Sequence, residues 1–425
     1  MPEIRPFRGL RYTADAGDLL NLVAPPYDVL TPAEREDYAS ESAYNIVRLT
    51  LPDHEPDDRS KFVKYARSAA LLADWRRQGV MAPEGSPAFY RYTQEFHIDG
   101  VNHPLKRTAL IVLIKVEPYE KGIVLPHEQT FPKHKEDRLR ILEATRSHLE
   151  CIFGLYEDDG GAIDNAVKSA EVAGSVSIPM VVGSTHKLEP IVDKEAIAGL
   201  QKMLAGKKLW IADGHHRYET AMTFRQMLGD KSGPVAEDYM MMALTSMSDP
   251  GLVLLPTHRI VHGITMSRDE IVERLAPEFD IKEVHSSSLW PELEKAHKAG
   301  QRAFGVAIEG GHGLVLTPKD FDRLAKMESE GSDALRSLDV SVLHHVILEK
   351  LLGVKSNDNI AYTRDAREAE RVPNQGGAVS FLMNPPSVED MRTIALGGEK
   401  MPQKSTYYFP KILSGLVLWS LSDFE

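Results

Sequence analysis

The stretch KKLWIADGHHRYETAMTFRQMLG, at residues 207–229, constrains the fold of this chain more than any other. Its apolar run at 209–212 is typical of a short buried strand, and the Asp-Gly pair at 213–214 interrupts that run. From His215 the pattern becomes helical, and Gly229 is placed to end the helix. The sequence therefore predicts a strand, a sharp turn and a helix that begins with two histidines and an arginine.

The first turn of this helix has the chemistry of an anion site. Backbone N–H groups at a helix start lack partners within the helix, and the helix dipole favours negative charge there. Gly214 would let a ligand approach the backbone, His215 and His216 would add polar groups, and Arg217 would clamp a phosphate with two hydrogen bonds. The alternative interpretation is structural: Asp213 caps the helix, and the polar residues after it form a solvated first turn.

Length and periodicity predict a mixed α/β (α+β) protein of two or three domains. The chain has 425 residues, and typical domains have roughly 100–200. We expect an N-terminal α/β region over residues 1–264 that contains the DGHHR motif. A small α/β module over 265–335 and a C-terminal region over 336–425 that packs back on the core would follow it.

Several local patterns predict individual elements of these regions. Residues 45–50 and 252–261 are predicted as strands, and residues 340–352 as an amphipathic helix. Residues 88–98 and 106–116 are predicted as two strands joined by a turn at Asp99-Gly100, and the second is apolar enough to lie inside a sheet.

Charge and cysteine content narrow the possible partners. The net charge of −12 argues against nucleic acid as a partner. The single cysteine, Cys151, rules out an internal disulfide, which suits a reducing compartment, and its apolar neighbours favour a core position over a nucleophilic one. No run approaches the roughly 20 apolar residues of a membrane span, so we expect a cytoplasmic protein without a membrane partner.

Two proline-bounded motifs in the N-terminal region add candidate residues. In APPYD (24–28), the prolines would hold Tyr27 and Asp28 in a defined direction for substrate binding, or the segment is a rigid connector. In LPHEQT (125–130), the pair His127 and Glu128 would supply a general base or a metal contact. The alternative for LPHEQT is a solvated loop.

Two further motifs lie in the C-terminal half. In PTHR (256–259), His258 and Arg259 would face the same cleft and contact phosphate. In MPQKSTYYFPK (401–411), Lys404 and Ser405 form a reasonable phosphate contact in a loop bounded by glycine and proline. This loop lacks the spacing of a Walker A motif, and its alternative interpretation is a plain β-turn region.

Seven motifs in order resemble one known family over nearly the whole chain. They are APPYD, LPHEQT, KEDRL (135–139), IADGHHRYETA (211–221), PTHR, LDVSVLHHVIL (338–348) and MPQKSTYYFPK. They resemble an uncharacterised prokaryotic family, domain of unknown function 1015. Through the DGHHR motif, that family is similar to the ParB-like superfamily, which includes the ParB partition proteins, sulfiredoxin and free serine kinases.

This resemblance implies a ParB-like or serine-kinase-like core around the strand-DGHHR-helix unit. In the kinases, a DGHxR-type motif lies at the nucleotide phosphates, and a carboxylate elsewhere deprotonates the serine hydroxyl. Here Asp213, Gly214, His215, His216 and Arg217 match the motif and would carry phosphate or Mg²⁺ contacts, with Asp213 as the metal ligand.

The leading functional prediction is a kinase that uses ATP or ADP with Mg²⁺ to phosphorylate free serine or a similar hydroxy metabolite. Glu128, Asp213 and His215 are the candidate catalytic residues, and Glu128 is the candidate base on chemical grounds and not by motif match. His127 joins the Tyr-Asp pair of the APPYD motif as a candidate substrate contact. Such a protein has a nucleotide and a small molecule as partners, and a homo-oligomer stays open. The alternatives are a metal-assisted phosphoester hydrolase and a non-enzymatic nucleotide-binding regulatory module of the ParB-like type.

The single-site hypothesis makes a geometric prediction. Residues from five of these motifs should line one cleft, namely Tyr27, Asp28, Glu128, Arg217, His258 and Lys404.

Overall fold

A computed structural model confirms the mixed α/β class. It describes residues 1–98, 101–130, 132–181, 183–229, 233–328, 330–354 and 359–424, with the backbone alone at 132–134. The predicted turn at Asp99-Gly100 lies outside the described residues. The chain divides into two compact units: unit 1 comprises residues 1–126, 130–253 and 410–425, and unit 2 comprises residues 127–129 and 254–409.

Unit 1 is built on a large mixed sheet. Its strands in spatial order are Val124–Leu125, Leu209–Asp213, Ile152–Tyr156, Tyr239–Ser246, Leu105–Lys115, Phe89–Phe96, Ser184–Ile191 and Val176–Val181, and Ile4–Arg5 also pairs with Leu105–Lys115. Tyr239–Ser246 runs parallel to Ile152–Tyr156, and Leu209–Asp213 runs parallel to Val124–Leu125. The predicted strands at 88–98 and 106–116 are present, and the second lies inside the sheet, as its apolar sequence predicts.

Helices and two short strand pairs complete unit 1. Leu10–Tyr12 pairs with Met81–Pro83, and Ser147–His148 pairs with Trp419–Ser420. The helices and short helical turns are Ala14–Ala16, Leu19–Asn21, Tyr27–Val29, Pro32–Glu41, Val47–Thr50, Val63–Arg77, Tyr119–Lys121, Pro132–Thr145, Ala162–Ser169, Lys194–Leu204, His215–Met227, Ala236–Asp238 and Leu421–Asp423. Tyr218 and Ala221 of helix His215–Met227 join a buried cluster with Ile211 and Leu244 of the sheet, so this helix is fixed by packing on the strand that precedes it.

The prediction of a strand at residues 45–50 is wrong. Val47–Thr50 is a helical turn, which begins where the Asn45 side-chain oxygen accepts a hydrogen bond from the Val47 N–H at 3.0 Å. The Asn45 amide also donates to the carbonyl of Asn21 at 2.9 Å. Local side-chain bonds of this kind compete with strand pairing and favour turns.

Unit 2 is built on an antiparallel sheet. Its strands in spatial order are Phe279–His285, His312–Pro318, Phe304–Ile308, Ala378–Leu382, His258–His262 and Ile360–Thr363. The helices and short helical turns are Arg268–Leu275, Ser286–Ser288, Leu289–Lys298, Glu309–Gly311, Phe321–Ala325, Asp333–Arg336, Asp339–Ser341, Val342–Leu351, Ala366–Arg371, Val372–Gln375 and Val388–Leu396. Leu289 and Leu293 of one helix pack with Ala307 and Leu382 of the sheet in a buried cluster.

Several features of unit 2 depart from the sequence-based expectations. The strand predicted at 252–261 is two strands, Val253–Leu254 and His258–His262, because Pro256 between them cannot donate to a ladder. The helix predicted at 340–352 is present, but Val342–Leu351 has π-helical hydrogen bonding. The sheet of unit 2 joins strands between residues 258 and 382, so the two units have different boundaries from the three predicted regions. The division into three regions stays a prediction.

Candidate functional site

The strand that leads to the DGHHR motif ends in a β-bulge. Ile211 pairs with Gly154 and Asp213 with the adjacent Phe153, so Ala212 is an extra residue without a counterpart on the neighbouring strand. Bulges of this kind bend the strand and redirect the next side chain. The Asp213 carboxylate is therefore placed by the bulge at the beginning of helix His215–Met227.

Gly214 makes the turn from strand to helix, and two constraints require a glycine there. Its φ of +95° lies in the left-handed region, where side chains are disfavoured. A Cβ atom would lie 2.6 Å from Ile152 Cγ2 and 3.0 Å from Arg217 Nη2. The structure thus gives Gly214 a conformational and packing role, while its approach to a ligand stays a prediction.

Asp213 bonds to two cations and does not cap the helix. The N-cap residue is Gly214, and no side chain caps this end, so the structural alternative for Asp213 is wrong. Asp213 Oδ2 accepts a hydrogen bond from Arg217 Nη2 at 3.0 Å, and Oδ1 pairs with Lys411 Nζ. The three side chains are only 10–15% exposed. We call this group the Asp213 cluster.

Lys411 is a site residue that the sequence analysis missed. The buried Gln94 side chain donates to the Lys411 carbonyl at 2.8 Å, and the buried Arg107 donates to the Pro410 carbonyl. Both side chains rise from the sheet of unit 1, so they fix the backbone that presents Lys411 to Asp213. The available signal was the sequence Pro410-Lys411 at the end of the last motif, where proline restricts the preceding backbone.

The buried Arg107 packs on an aromatic ring and donates hydrogen bonds to Gln94 and Pro410. Its guanidinium carbon lies 4.6 Å from the centre of the Phe153 ring. Burial lowers the pKa of Arg107 to about 10, and nearby Tyr92, Asp249 and Asp213 act in the opposite direction. The cost of this burial is offset by hydrogen bonds to Gln94 and Pro410.

Arg217 is held by protein groups on two of its five donors. Nη1 donates to the Cys151 carbonyl at 2.7 Å and Nη2 donates to Asp213, whereas Nε makes no hydrogen bond within the described residues. Burial acts to lower the pKa of Arg217, but the charges of Glu150, Asp213 and Asp28 outweigh it and raise the pKa. The predicted phosphate clamp would have to use the remaining donors.

The APPYD segment lies beside Arg217. Tyr27 N donates to Glu150 Oε1 at 3.2 Å, and the guanidinium carbon of Arg138 lies 3.9 Å from the centre of the Tyr27 ring. The Arg217 guanidinium is 5.9 Å from the same ring, and Asp28 is exposed. Tyr27 therefore lies beside the Asp213 cluster, and Asp28 acts on Arg217 through its charge. Glu150 and Arg138 are neighbours that the sequence analysis did not single out.

The remaining residues of the central motif differ in burial. His215 is 6% exposed and shares the buried side of its helix with Tyr218, whereas His216 is half-buried. Cys151 is buried, as predicted, and burial raises the pKa of its thiol to about 12. Such a thiol is protonated at neutral pH and is a poor nucleophile.

In unit 2, the His127-Glu128 pair binds residues 404–406 (Lys-Ser-Thr), which we call the KST loop. Glu128 Oε1 accepts from Lys404 N at 2.8 Å, and Glu128 Oε2 accepts from Thr406 Oγ1 at 3.3 Å. His127 Nε2 lies 2.8 Å from Thr406 Oγ1. His127 is fully buried, so the interpretation of this segment as a solvated loop is wrong for His127. Thr406 is a further residue that the sequence analysis missed.

The KST loop itself is held in a strained conformation. Lys404 has a φ of +56° and an exposed side chain. Ser405 is 3% exposed, and its hydroxyl donates to the Pro402 carbonyl. The Ser405 hydroxyl therefore serves the turn in this structure, and Lys404 presents the more accessible group.

Arg259 and His258 are buried. Arg259 donates to the carbonyls of Thr257 and Lys404, the latter at 3.1 Å, and to His344 Nε2 at 3.1 Å. Burial lowers the pKa of Arg259 to about 10 and that of His258 to about 4. Arg259 thus holds the Lys404 backbone in place through the Lys404 carbonyl. The phosphate contacts predicted for His258 and Arg259 stay predictions.

The sequence-predicted residues fall into two groups. Tyr27, Asp28, Asp213, Gly214, His215, His216 and Arg217 belong to unit 1, whereas His127, Glu128, His258, Arg259, Lys404 and Ser405 belong to unit 2. The common cleft predicted for the dispersed motifs stays a prediction.

The predicted Mg²⁺ contact of Asp213 does not fit the donor set. Both carboxylate oxygens of Asp213 already face cations, and a divalent metal would have to displace them. Among the residues that the structure describes, no three His, Cys, Asp or Glu side chains come together as metal ligands. Over the same described residues, no helix is long and apolar enough to cross a membrane.

Fold and site together define a mixed α/β protein that carries a cluster of ion-paired side chains at the junction of a strand and a helix. The chain belongs to the family described as protein of unknown function (DUF1015), whose model matches residues 4–341. This confirms the family suggested by the sequence motifs. No curated protein matches the chain by sequence.

Three solved structures are similar to this chain. A conserved hypothetical protein from Pyrococcus furiosus shares 15% identity over 74% of this chain and 97% of its own, with a TM-score of 0.36. A free serine kinase in complex with AMP shares 16% sequence identity over 70% of this chain and 86% of its own, with a TM-score of 0.35. SbnI with a C-terminal truncation, from Staphylococcus aureus, shares 13% sequence identity over 73% of this chain and 88% of its own, with a TM-score of 0.34. At these TM-scores the likeness carries no argument about activity.

Proposed function

We propose that this protein is a kinase that transfers a phosphoryl group from ATP or ADP to the hydroxyl of a small metabolite. The beginning of helix His215–Met227 is its phosphate site. The observation that carries this proposal is the convergence of Lys411 and Arg217 on Asp213 at that helix start.

The charge of the Asp213 cluster favours an anionic ligand. Its three side chains together carry a net charge of about +1. Asp28 and Glu150, offset in part by Arg138, bring the wider surroundings close to neutral, so the attraction for an anion comes from the two cations at the helix start. The adjacent helix N-terminus contributes a further positive partial charge of roughly +0.5. Phosphate groups bind where helix N–H groups and cationic side chains meet.

Lys411 is suited to stay in contact with a phosphoryl group while that group is transferred. Lysine is a compact charge on a flexible stem, and it binds phosphate as a point charge. Asp213 holds the ammonium near the helix start before a ligand arrives, so less ordering is needed on binding. Arg217 is fixed on Cys151 and Asp213 and supplies a second, immobile positive charge. Positioning and charge stabilisation of this kind are the main requirements of phosphoryl transfer.

Glu128 stays the candidate base for the acceptor hydroxyl. Its carboxylate is oriented by the Lys404 N–H and the Thr406 hydroxyl, as expected of a base held by its neighbours. This role is separable from phosphate binding. Glu128→Gln should abolish turnover while nucleotide binding persists.

The test of the phosphate site is ligand-dependent thermal stability. ATP, ADP, AMP and pyrophosphate are added with and without Mg²⁺ to the wild type, to Lys411→Met and to Lys202→Met, a control at an exposed lysine of unit 1. One nucleotide at a hundredfold excess over Kd should stabilise the wild type and the control by about 2.7 kcal/mol. The gain should be lost in Lys411→Met; equal gains in all three proteins, or none, would reject the site.

The test of transfer is product analysis with the nucleotide that binds. Phosphorus NMR would follow serine, threonine, homoserine and glycerol as acceptors. A phosphorylated acceptor supports the kinase, whereas inorganic phosphate without a phosphorylated acceptor supports the hydrolase alternative. Nucleotide binding without either product supports the regulatory module.

A further inference from the structure

Unit 2 contains a cavity that none of the predicted site residues lines. It has a volume of about 270 Å³ and lies where strand Ala378–Leu382 passes into helix Val388–Leu396. This equals the liquid volume of about nine water molecules at roughly 30 Å³ each. It lies just below the roughly 300–1,000 Å³ of pockets for drug-sized ligands, so it suits a small metabolite.

Asn384 in the wall of this cavity is a buried amide without a partner. The residue is 5% exposed, and its side chain makes no hydrogen bond to any residue that the structure describes. The amide is not among the polar atoms that are sealed from solvent without a partner, so it opens onto the cavity that it lines. The sequence Asn384-Pro385-Pro386 restricts the backbone here, since each proline fixes its own φ and limits the residue before it. A rigid, unpaired amide of this kind is prepared for a ligand.

The charged groups around Asn384 have a negative balance. Asp339 Oδ1 accepts from Arg302 Nη1 at 2.6 Å, and Asp390 Oδ2 accepts from the backbone and hydroxyl of Ser387. Each carboxylate keeps its second oxygen for another donor. Burial raises the pKa of Asp339, and the negative charge of Asp390 adds to this effect against the opposing charge of Arg302. A cation between the two carboxylates would relieve their repulsion.

We infer that this cavity binds a small organic cation, an amine that Asp339 and Asp390 hold by charge and Asn384 holds by hydrogen bonding. The wall carries two carboxylates, one guanidinium and the imidazole of His297. With His297 neutral the balance is about −1, so an ammonium group restores neutrality while an anion would increase the imbalance. The apolar Leu338 in the wall would cover the alkyl part of such an amine. The inference is independent of the proposed kinase activity.

Calorimetry with matched ligands tests this site on the full-length protein. Putrescine, agmatine and ethanolamine are the probes, and 1,4-butanediol and succinate are the neutral and anionic counterparts of putrescine. At least one amine should bind with a submillimolar Kd, and the two counterparts should bind at least tenfold more weakly. Failure of all three amines, or tighter binding of succinate, would overturn the inference.

Two variants locate the binding. Asp339→Asn keeps the size of the side chain and should weaken amine binding at least tenfold. Asn384→Ser leaves the Arg302–Asp339 pair intact and provides a second readout if Asp339→Asn fails to fold. Asp333→Asn, at a carboxylate whose side chain is 86% exposed, is the matched control. Unchanged affinity in Asn384→Ser, or an equal loss in the Asp333 control, would place the amine elsewhere.

Discussion

The ammonium of Lys411 pairs with the carboxylate of Asp213 across 198 positions of sequence. Both side chains are largely buried, at 11% and 15% exposure, so salt screens the pair less than it would on the surface. The pair fastens the last segment of unit 1 to the beginning of helix His215–Met227.

Breaking this pair should destabilise unit 1. Lys411→Met leaves Asp213 with one cation less, and we expect a loss of about 1–3 kcal/mol in the free energy of unfolding. Asp213→Asn combined with Lys411→Met should lose less than the sum of the two single changes, because the charges act on each other. Urea unfolding of the four proteins measures the coupling. Strict additivity would show that the contact contributes nothing to stability.

Gly214→Ala should be among the most damaging single-atom additions to this chain. The substitution places a side chain at positive φ, which costs about 1–3 kcal/mol, and it drives the new Cβ into Ile152. Gly79→Ala is the matched control, since Gly79 has a φ of +75° but open space around its Cβ position. Gly214→Ala should lower the unfolding free energy by about 1–3 kcal/mol more than the control. Equal losses would mean that Ile152 moves aside freely.

His258 should make unit 2 sensitive to mild acid. Burial lowers the pKa of His258 from 6.5 to about 4. As pH falls from 6.5 to 4, the unfolded chain binds a proton that the folded chain does not, so stability is complete above 6.5 and declines towards 4. The loss is about 1.4 kcal/mol per pH unit, or roughly 3 kcal/mol in all.

Replacing this histidine checks the effect. His258→Leu keeps an apolar contact with Trp290 and should reduce the slope of the stability curve between pH 6.5 and 4 by about 1.4 kcal/mol per pH unit, as followed by hydrogen exchange in unit 2. The slope that remains belongs to His344, whose pKa burial lowers to about 3. His312→Gln, at an exposed position, should leave the curve unchanged. A curve of the same steepness in His258→Leu would assign the acid response to other groups.

A single substitution at Lys404 can distinguish the role of its backbone from the role of its side chain. Its carbonyl accepts from Arg259 and its N–H donates to Glu128, and its φ of +56° suits asparagine better than lysine. Lys404→Asn should therefore keep or slightly raise the melting temperature. If Lys404 contacts phosphate, the same variant should weaken nucleotide binding at least fivefold. A lower melting temperature would contradict the conformational argument.

Cys151 should report on unfolding and not on catalysis. The thiol is buried and its pKa is raised to about 12, so an aromatic disulfide reagent should label it only through opening of unit 1. The labelling rate should rise with urea, in step with the loss of structure, and Cys151→Ala should change turnover by less than twofold. Rapid labelling of the native protein would show that the site is accessible.

The sequence predicted those elements that local chemistry determines. The strand before Asp213, the helix after Gly214 and the glycine stop at 229 follow from apolar periodicity and glycine at positive φ, and Gly229 has a φ of +64°. Periodicity failed at residues 45–50, where side-chain bonds of Asn45 override the strand pattern. It also missed the proline break at 256.

The long-range part of the site lay beyond local rules. Lys411 reaches Asp213 only because Gln94 and Arg107 hold the backbone at 410–411, and Glu150 is set beside Tyr27 by a contact over 123 positions. No pattern within a short stretch of sequence shows which distant residues will be in contact. The burial of Arg259 and Ser405 was missed for the same reason, because their polarity predicted phosphate contacts and gave no sign of the protein groups that they bond to.

The separation of unit 1 into three chain segments has a consequence for synthesis on the ribosome. Residues 254–409, which belong to unit 2, must all be made before Lys411 can meet Asp213. Trp419, which is fully buried in unit 1, arrives later still. During that interval the growing chain holds an incomplete sheet with exposed apolar surface, a state prone to aggregation. The cluster that we assign to phosphate binding therefore cannot form until residue 411 has left the ribosome, and the nascent chain cannot bind phosphate through it before then.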